Sequence, residues 1–96
     1  MLKVVASLRV KKDKIDEFKK TAKELIDKSR AEEANIFYTL NQSVEDEQQF
    51  AFIECWRDQE ALKEHEATEH FRNTFPVLGA LCDASDQIMV FNEIEY

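Results

Sequence analysis

FAFIECWRDQEALKEHEATEHF, residues 50–71, decides the fold. It opens as a strand: Phe50, Phe52, Glu54 and Trp56 fall on one side of a pleat, and Ala51, Ile53, Cys55 and Arg57 on the other. It continues as a helix from Gln59 to about Glu66, with Asp58 as N-cap and Glu60 placing negative charge in the first turn, where the helix dipole favours it. The helix carries His65, and His70 follows it; these are the only two histidines of the chain. A carboxylate and an indole thus share one strand face beside a helix bearing an imidazole.

Outward from this stretch, the same periods recur. Leu2, Val4, Ala6, Leu8 and Val10 make a fully apolar strand side over residues 2–10. Asp13 offers an N-cap for an amphipathic helix in which Ile15, Phe18, Ala22, Leu25, Ile26 and Ser29 recur at three- and four-residue steps to about Arg30 or Ala31. Asn35–Asn41 reads as a second strand, with Ile36, Tyr38 and Leu40 on one side and Phe37 and Thr39 on the other. Residues 42–48 are polar and acidic and form a hairpin loop leading to the third strand, Phe50–Trp56. Thr68 caps a further helical segment through Phe71, Phe75, Leu78 and Leu81, interrupted at Pro76 and Gly79. Asp83–Gln87 turns the chain into a last strand, Ile88–Tyr96. Strand, helix, strand, strand, helix, strand is the split βαβ, or ferredoxin-like, arrangement. The fold class is therefore α+β: a four-stranded antiparallel sheet with its helices on one face.

Ninety-six residues bound this to one domain, residues 1–96. The net charge of -7 and the absence of a basic stripe argue against nucleic acid as a partner. The lysines of the first helix are interleaved with acids and read as a solvated face. No apolar run reaches the ~18 residues of a membrane span, and no signal-peptide pattern opens the chain. Cys55 and Cys82 are too few for a disulfide framework, so a reducing, cytoplasmic setting is expected. Two helices cover only one side of four strands. Val5, Phe37, Ile53, Cys55 and either Met89 with Phe91 or Ile88 with Val90 are left for the other side. At ~25 cal/mol per Å2 that exposure is costly, so a homodimer packed sheet to sheet is expected.

Six residues are candidates for a site. Glu54, set between Phe52 and Trp56 on an apolar face, is desolvated and its pKa pushed upward; it acts as a base or holds a histidine, or else makes a structural ion pair. His65 is the acid-base candidate, since an imidazole titrates near neutrality; the competing reading is a satisfied core histidine. Tyr38 can donate a hydrogen bond to a bound oxygen; the competing reading is a core tyrosine whose hydroxyl reaches the surface. Trp56 and Phe52 offer aromatic surface to a flat substrate, Trp56 otherwise being a core aromatic at a strand end; His70 is a surface or structural residue, or else reaches the same cleft. Neither cysteine has a histidine or cysteine at metal spacing, and His65 and His70 are five apart, off the one-turn spacing of a helical metal pair. No metal is therefore expected.

Three segments carry a family resemblance: VVASLRVKKDKIDEFKKTAKEL (residues 4–25), EANIFY (33–38) and, above all, FIECWRDQEALKEHEATEHF (52–71). In the last, Glu54, Trp56, Asp58, Ala61, Leu62, His65, His70 and Phe71 fit a strand ending in Glu-x-Trp, an acidic turn, and a helix with a His followed by His-Phe. The chain resembles the antibiotic biosynthesis monooxygenase (ABM) family of dimeric α+β-barrel proteins. The resemblance implies one pocket per subunit between sheet and helices, and oxygen chemistry on a phenolic or quinol substrate without flavin, haem or metal. Catalytic roles then fall to His65, Glu54 and Tyr38, and substrate contacts to Trp56, His70 and Phe52. The chain departs from the pattern at Ala34-Asn35, where a Gly-Cys-type pair is common. It departs again at Ala6, where the haem-degrading branch places an asparagine, which argues against haem degradation. Two other readings use the same residues: an isomerase of a small carbonyl or sugar-derived signal compound, and a non-enzymatic binding or stress-response dimer.

Overall fold

The computed structural model describes residues 1–83 and 87–96. Strand β1 (Leu2–Arg9) alternates along its whole length: Leu2, Val4, Ala6 and Leu8 are buried, and the intervening residues are half-buried. It lies inside the sheet, antiparallel to β3 (Gln49–Trp56) on one side and to β4 (Gln87–Asn92) on the other. Strand β2 (Asn35–Gln42) pairs with the outer edge of β3, giving the order β2-β3-β1-β4. Helix α1 (Ile15–Arg30) and helices α2 (Gln59–Glu66) and α3 (Glu69–Ala80) supply the second layer. Phe18, Ala22 and Leu25 of α1, Ala61 and Leu62 of α2 and Leu78 of α3 meet Phe50, Phe52, Trp56 and Tyr38 from the sheet in one apolar core. This is the α+β, ferredoxin-like architecture expected from the alternation of strand and helix periods.

Several local features differ from expectation. Asp13 does not cap α1: residues Lys12–Lys14 form a 3-10 turn in which the Lys14 amide donates to the Lys11 carbonyl, and α1 begins after it with no side-chain cap. Asp16 and Glu17 supply the negative charge of the first turn instead. Asp58 and Thr68 do cap α2 and α3, accepting from the Ala61 and Phe71 amides. Helix α3 runs unbroken through Pro76 and Gly79. Proline removes one helical hydrogen bond, but Arg72, whose carbonyl loses it, is exposed to water, while Phe71 and Phe75 stack at 4.9 Å and Leu78 is fully buried. Burial outweighs the missing bond.

Strand β2 carries a bulge. Asn35 pairs with Trp56 and Phe37 with Cys55, so Ile36 is the extra residue and is half-exposed rather than sharing the buried side of Tyr38. The Asn35 side-chain amide spans the irregularity, donating to the Phe37 and Cys55 carbonyls at 3.1 and 3.3 Å.

The register settles which residues of β4 face away from the helices. Met89 lies beside Val5 and Phe91 beside Lys3, on the open face with Phe37 and Ile53; Ile88 and Val90 lie on the helix side beside Ala6 and Val4. Strand β4 ends at Asn92, short of the expected Tyr96. The turn expected over Asp83–Gln87 falls on residues 84–86, outside those described. Cys55, expected in a sheet-to-sheet contact, is already buried within the chain, its Sγ 3.9 Å from the Met1 sulfur. Among the described residues no helix is long and apolar enough to cross a membrane.

Candidate functional site

The strand period that buries Phe50 and Phe52 also buries Glu54 and Trp56 on the same face. A buried carboxylate requires a hydrogen-bond donor. Trp56 provides it: its Nε1–H donates to Glu54 Oε1 at 2.9 Å. Tyr38 stands directly opposite Glu54 in the β2–β3 register. The Asp58 cap starts α2 at a phase that turns Ala61, Leu62 and His65 inward. The His65 ring then lies on the Trp56 indole at 4.4 Å and 35°, with Tyr38 at 5.5 Å and the Phe71 edge at 5.0 Å.

His65 is 1% exposed and is held by Glu32, not by Glu54. Glu32 lies between α1 and β2, and its Oε2 is 2.6 Å from His65 Nδ1 and 2.9 Å from His70 Nε2. A carboxylate only accepts, so both facing ring nitrogens donate and His65 carries its proton on Nδ1. The buried Nε2 of His65 has no hydrogen-bond partner among the described residues. It is a bare lone pair on a ring that also forms the wall of a cavity.

That cavity, about 30 Å3 in volume, lies between the helix side of β1 and β4 and helices α2 and α3. Glu54, His65, Leu62, Phe71, Ile88 and Val90 are among its lining residues. On its β4 side, Ile88 and Val90 are each about half-exposed. Of the six residues expected at the site, only Glu54 and His65 face this space. Trp56 stands behind them, joining one by a hydrogen bond and the other by ring contact. Tyr38 packs in the same aromatic cluster, 5.7 Å from Phe52 and 6.3 Å from Trp56. Phe52, expected at the substrate, is a core residue against Phe18 and Tyr38. His70 meets Glu32 on the outer side.

The electrostatics separate the two cavity residues. Burial pushes the Glu54 carboxyl up to about 7, more than the Trp56 N–H pulls it down, and the negative charge of Glu66 adds to the rise. Burial pushes His65 below its ordinary value, against the Glu32 hydrogen bond that favours the cation. Around neutrality the cavity therefore holds a largely neutral imidazole facing a carboxyl that is in part protonated, which is a base and an acid set apart by their surroundings. Burial, and then the Glu54 charge, raise the Tyr38 phenol well above its ordinary range, so it stays a hydrogen-bond donor.

Glu32 carries no periodic signal and escaped the sequence reading. A topological signal exists: Asn35 pairs with Trp56, and the Arg57 amide donates to the Ala34 carbonyl, so the residues preceding β2 must lie where α2 begins. Ile88 and Val90 as cavity walls followed only from register.

Comparison with known proteins places the fold and the sequence in one family. The chain is 40% identical over 72 residues to the "Putative monooxygenase YcnE" of Bacillus subtilis, covering 75% of this chain and 76% of that protein. A crystal structure of an antibiotic biosynthesis monooxygenase superposes with a TM-score of 0.93 at 34% identity, over 99% of this chain and 100% of the other. A conserved protein of Methanosarcina mazei superposes with a TM-score of 0.95 at 31% identity, covering 97% and 92%. The match to the family described as antibiotic biosynthesis monooxygenase spans residues 1–76, which include Glu32, Tyr38, Glu54, Trp56, His65 and His70, and the chain belongs to that family.

Proposed function

We propose that the protein is a cofactor-independent monooxygenase of a phenolic or quinol compound, with His65 as the base. One observation carries this reading: the unpartnered Nε2 of a neutral, buried imidazole whose other nitrogen is fixed by Glu32. His65 takes the phenolic proton, and the resulting anion reduces oxygen. One oxygen atom enters the ring and the other leaves as water, so a phenol and O2 give a quinone and H2O. Glu54, in its protonated form, donates to the substrate oxygen. Tyr38 and Trp56 hold the two reacting side chains, and the apolar walls keep water from the anion. The two cysteines, too few for a secreted framework, support a cytoplasmic setting.

A second reading rests on size. The space, about 30 Å3, is far smaller than the ~150 Å3 of an apolar cavity that takes up benzene. A phenolic ring must therefore displace the β4 side of the wall, whereas a small carbonyl compound needs less movement. The same acid and base would then shift a proton between carbons, as an isomerase. Oxygen electrode traces with a quinol panel, paired with the same substrates under strict anaerobiosis, decide between them. Uptake of one O2 per substrate is expected. Turnover that persists without oxygen moves the assignment to the isomerase, and no turnover with either class leaves a binding protein.

We further propose that the open sheet face pairs with a second copy. Val5, Phe37, Ile53, Met89 and Phe91 line it, and the three on the outer strands β2 and β4, Phe37, Met89 and Phe91, are 37%, 40% and 49% exposed in the single chain. Light scattering after size exclusion should give twice 11.3 kDa at micromolar concentration. A monomer there rules the dimer out.

A further inference from the structure

We propose that Glu32, His65 and His70 form a binding site for a divalent transition-metal ion, with two imidazole nitrogens and one carboxylate oxygen as ligands and a further position open toward the surface. The three ligand atoms lie within 4.8 Å of one another. They come from three places in the chain: the connection after α1, the last turn of α2 and the first turn of α3. The five-residue spacing of the histidines, wrong for one helix, is right for two. Thr68 fixes the break between them, donating to the His65 carbonyl at 2.6 Å and accepting from the Phe71 amide at 3.3 Å. The two rings are thereby set 6.0 Å apart with their nitrogens turned to one oxygen.

The arrangement is close to a coordination sphere. Ligand atoms bound at about 2.0–2.1 Å in a tetrahedron stand roughly 3.3 Å apart. The two carboxylate contacts here are 2.6 and 2.9 Å, so each has to lengthen by less than about 1 Å, while the two nitrogens, within 4.8 Å of each other, draw in toward that spacing. Two of its three members have the freedom to do so: the Glu32 and His70 side chains are 17% and 16% exposed, while His65 is locked at 1%. The same exposure gives an ion its way in. On binding, each imidazole gives up the N–H now held to Glu32 and carries its proton on the other nitrogen. Among the described residues no lysine or arginine pairs with Glu32, and Lys28, beside His70 in the outer groove, is held by Glu24 at 3.0 Å. A cation would not be competing with an ammonium. Two imidazoles with one carboxylate select a transition metal over calcium or magnesium, which prefer all-oxygen sites.

Occupancy has a consequence that rests on the proton-transfer reading above. A metal on Nδ1 forces the His65 proton to Nε2, converting the proposed base into a donor. The metal-bound chain is then the inactive form.

Zn2+ alone, titrated into the metal-stripped full chain and followed by calorimetry and thermal unfolding, tests the site. One ion per chain with micromolar or tighter affinity and a raised melting temperature is expected. His70→Ala, at a partly exposed position, should weaken binding by at least about 10–100-fold, and Glu32→Gln by a similar factor. Co2+ should show the visible absorption of a low-coordinate nitrogen and oxygen site in wild type and lose it in His70→Ala. No binding at millimolar Zn2+, undiminished affinity in His70→Ala, or equal displacement by Mg2+ would overturn the proposal. Zinc that binds as expected while turnover continues unchanged keeps the site and refutes His65 as the base.

Discussion

His65→Ala lowers oxygen-dependent turnover by about 10²–10⁴-fold, the range that a positioned general base contributes. The loss belongs in kcat rather than KM, because the imidazole meets the substrate through the proton being transferred and contributes little to holding its ring. The pH dependence gives a sharper test. His65 acts as a base only when neutral, and burial holds its pKa below the ordinary value of 6.5. Wild-type activity should therefore rise with pH along an acid limb centred below 6.5, and His65→Ala should lack that limb. The Glu32 hydrogen bond opposes the burial effect, so Glu32→Gln moves the limb further toward acid as well as slowing turnover. An alanine variant with the wild-type rate removes the imidazole from the chemistry.

The elements that could be read directly from the chain are those where one period dominates. Strands β1 and β3 and helix α2 carry clean alternation or a side-chain cap, and the structure places them within a residue or two of expectation. The misreadings share a cause: a local preference was outweighed by something distant. Pro76 argues for a helix end until the Phe71–Phe75 stack and the buried Leu78 are in view. Ile36 belongs with Tyr38 by alternation, but the bulge beside Trp56 shifts the phase. The site was half legible for the same reason. Glu54, Trp56 and His65 lie within 12 residues of one another and advertise themselves through the residues between them. Glu32 is 33 residues from His65, and Ile88 and Val90 lie on a strand that meets the site only through β1. Pairing across the sheet, which no local pattern records, brings them in.

Relative to wild type, Glu54→Gln gains about 3 kcal/mol of stability between pH 4.5 and pH 8. The folded chain holds the Glu54 proton more tightly than the unfolded chain does, since burial raises the carboxyl from 4.5 to about 7. That contribution to stability is complete below about pH 4.5 and drains away as the pH climbs through 7. The difference, at 1.36 kcal/mol per pH unit, is on the order of 3 kcal/mol. The amide has no proton to lose, and its carbonyl oxygen still accepts from Trp56 Nε1. Its NH2 group, without a fixed partner in the cavity, costs the same at every pH and so displaces the whole difference curve without changing its span. Every other titrating group is common to both proteins, so subtracting one pH–stability curve from the other isolates residue 54. Urea unfolding followed by the fluorescence of Trp56, the only tryptophan, supplies both curves. Curves that run parallel from pH 4.5 to 8 would mean that Glu54 ionises as easily inside the protein as outside it. The cavity would then be wetter than its walls of Val4, Leu62, Phe71 and Val90 imply, and the acid half of the proposed pair would be lost with it.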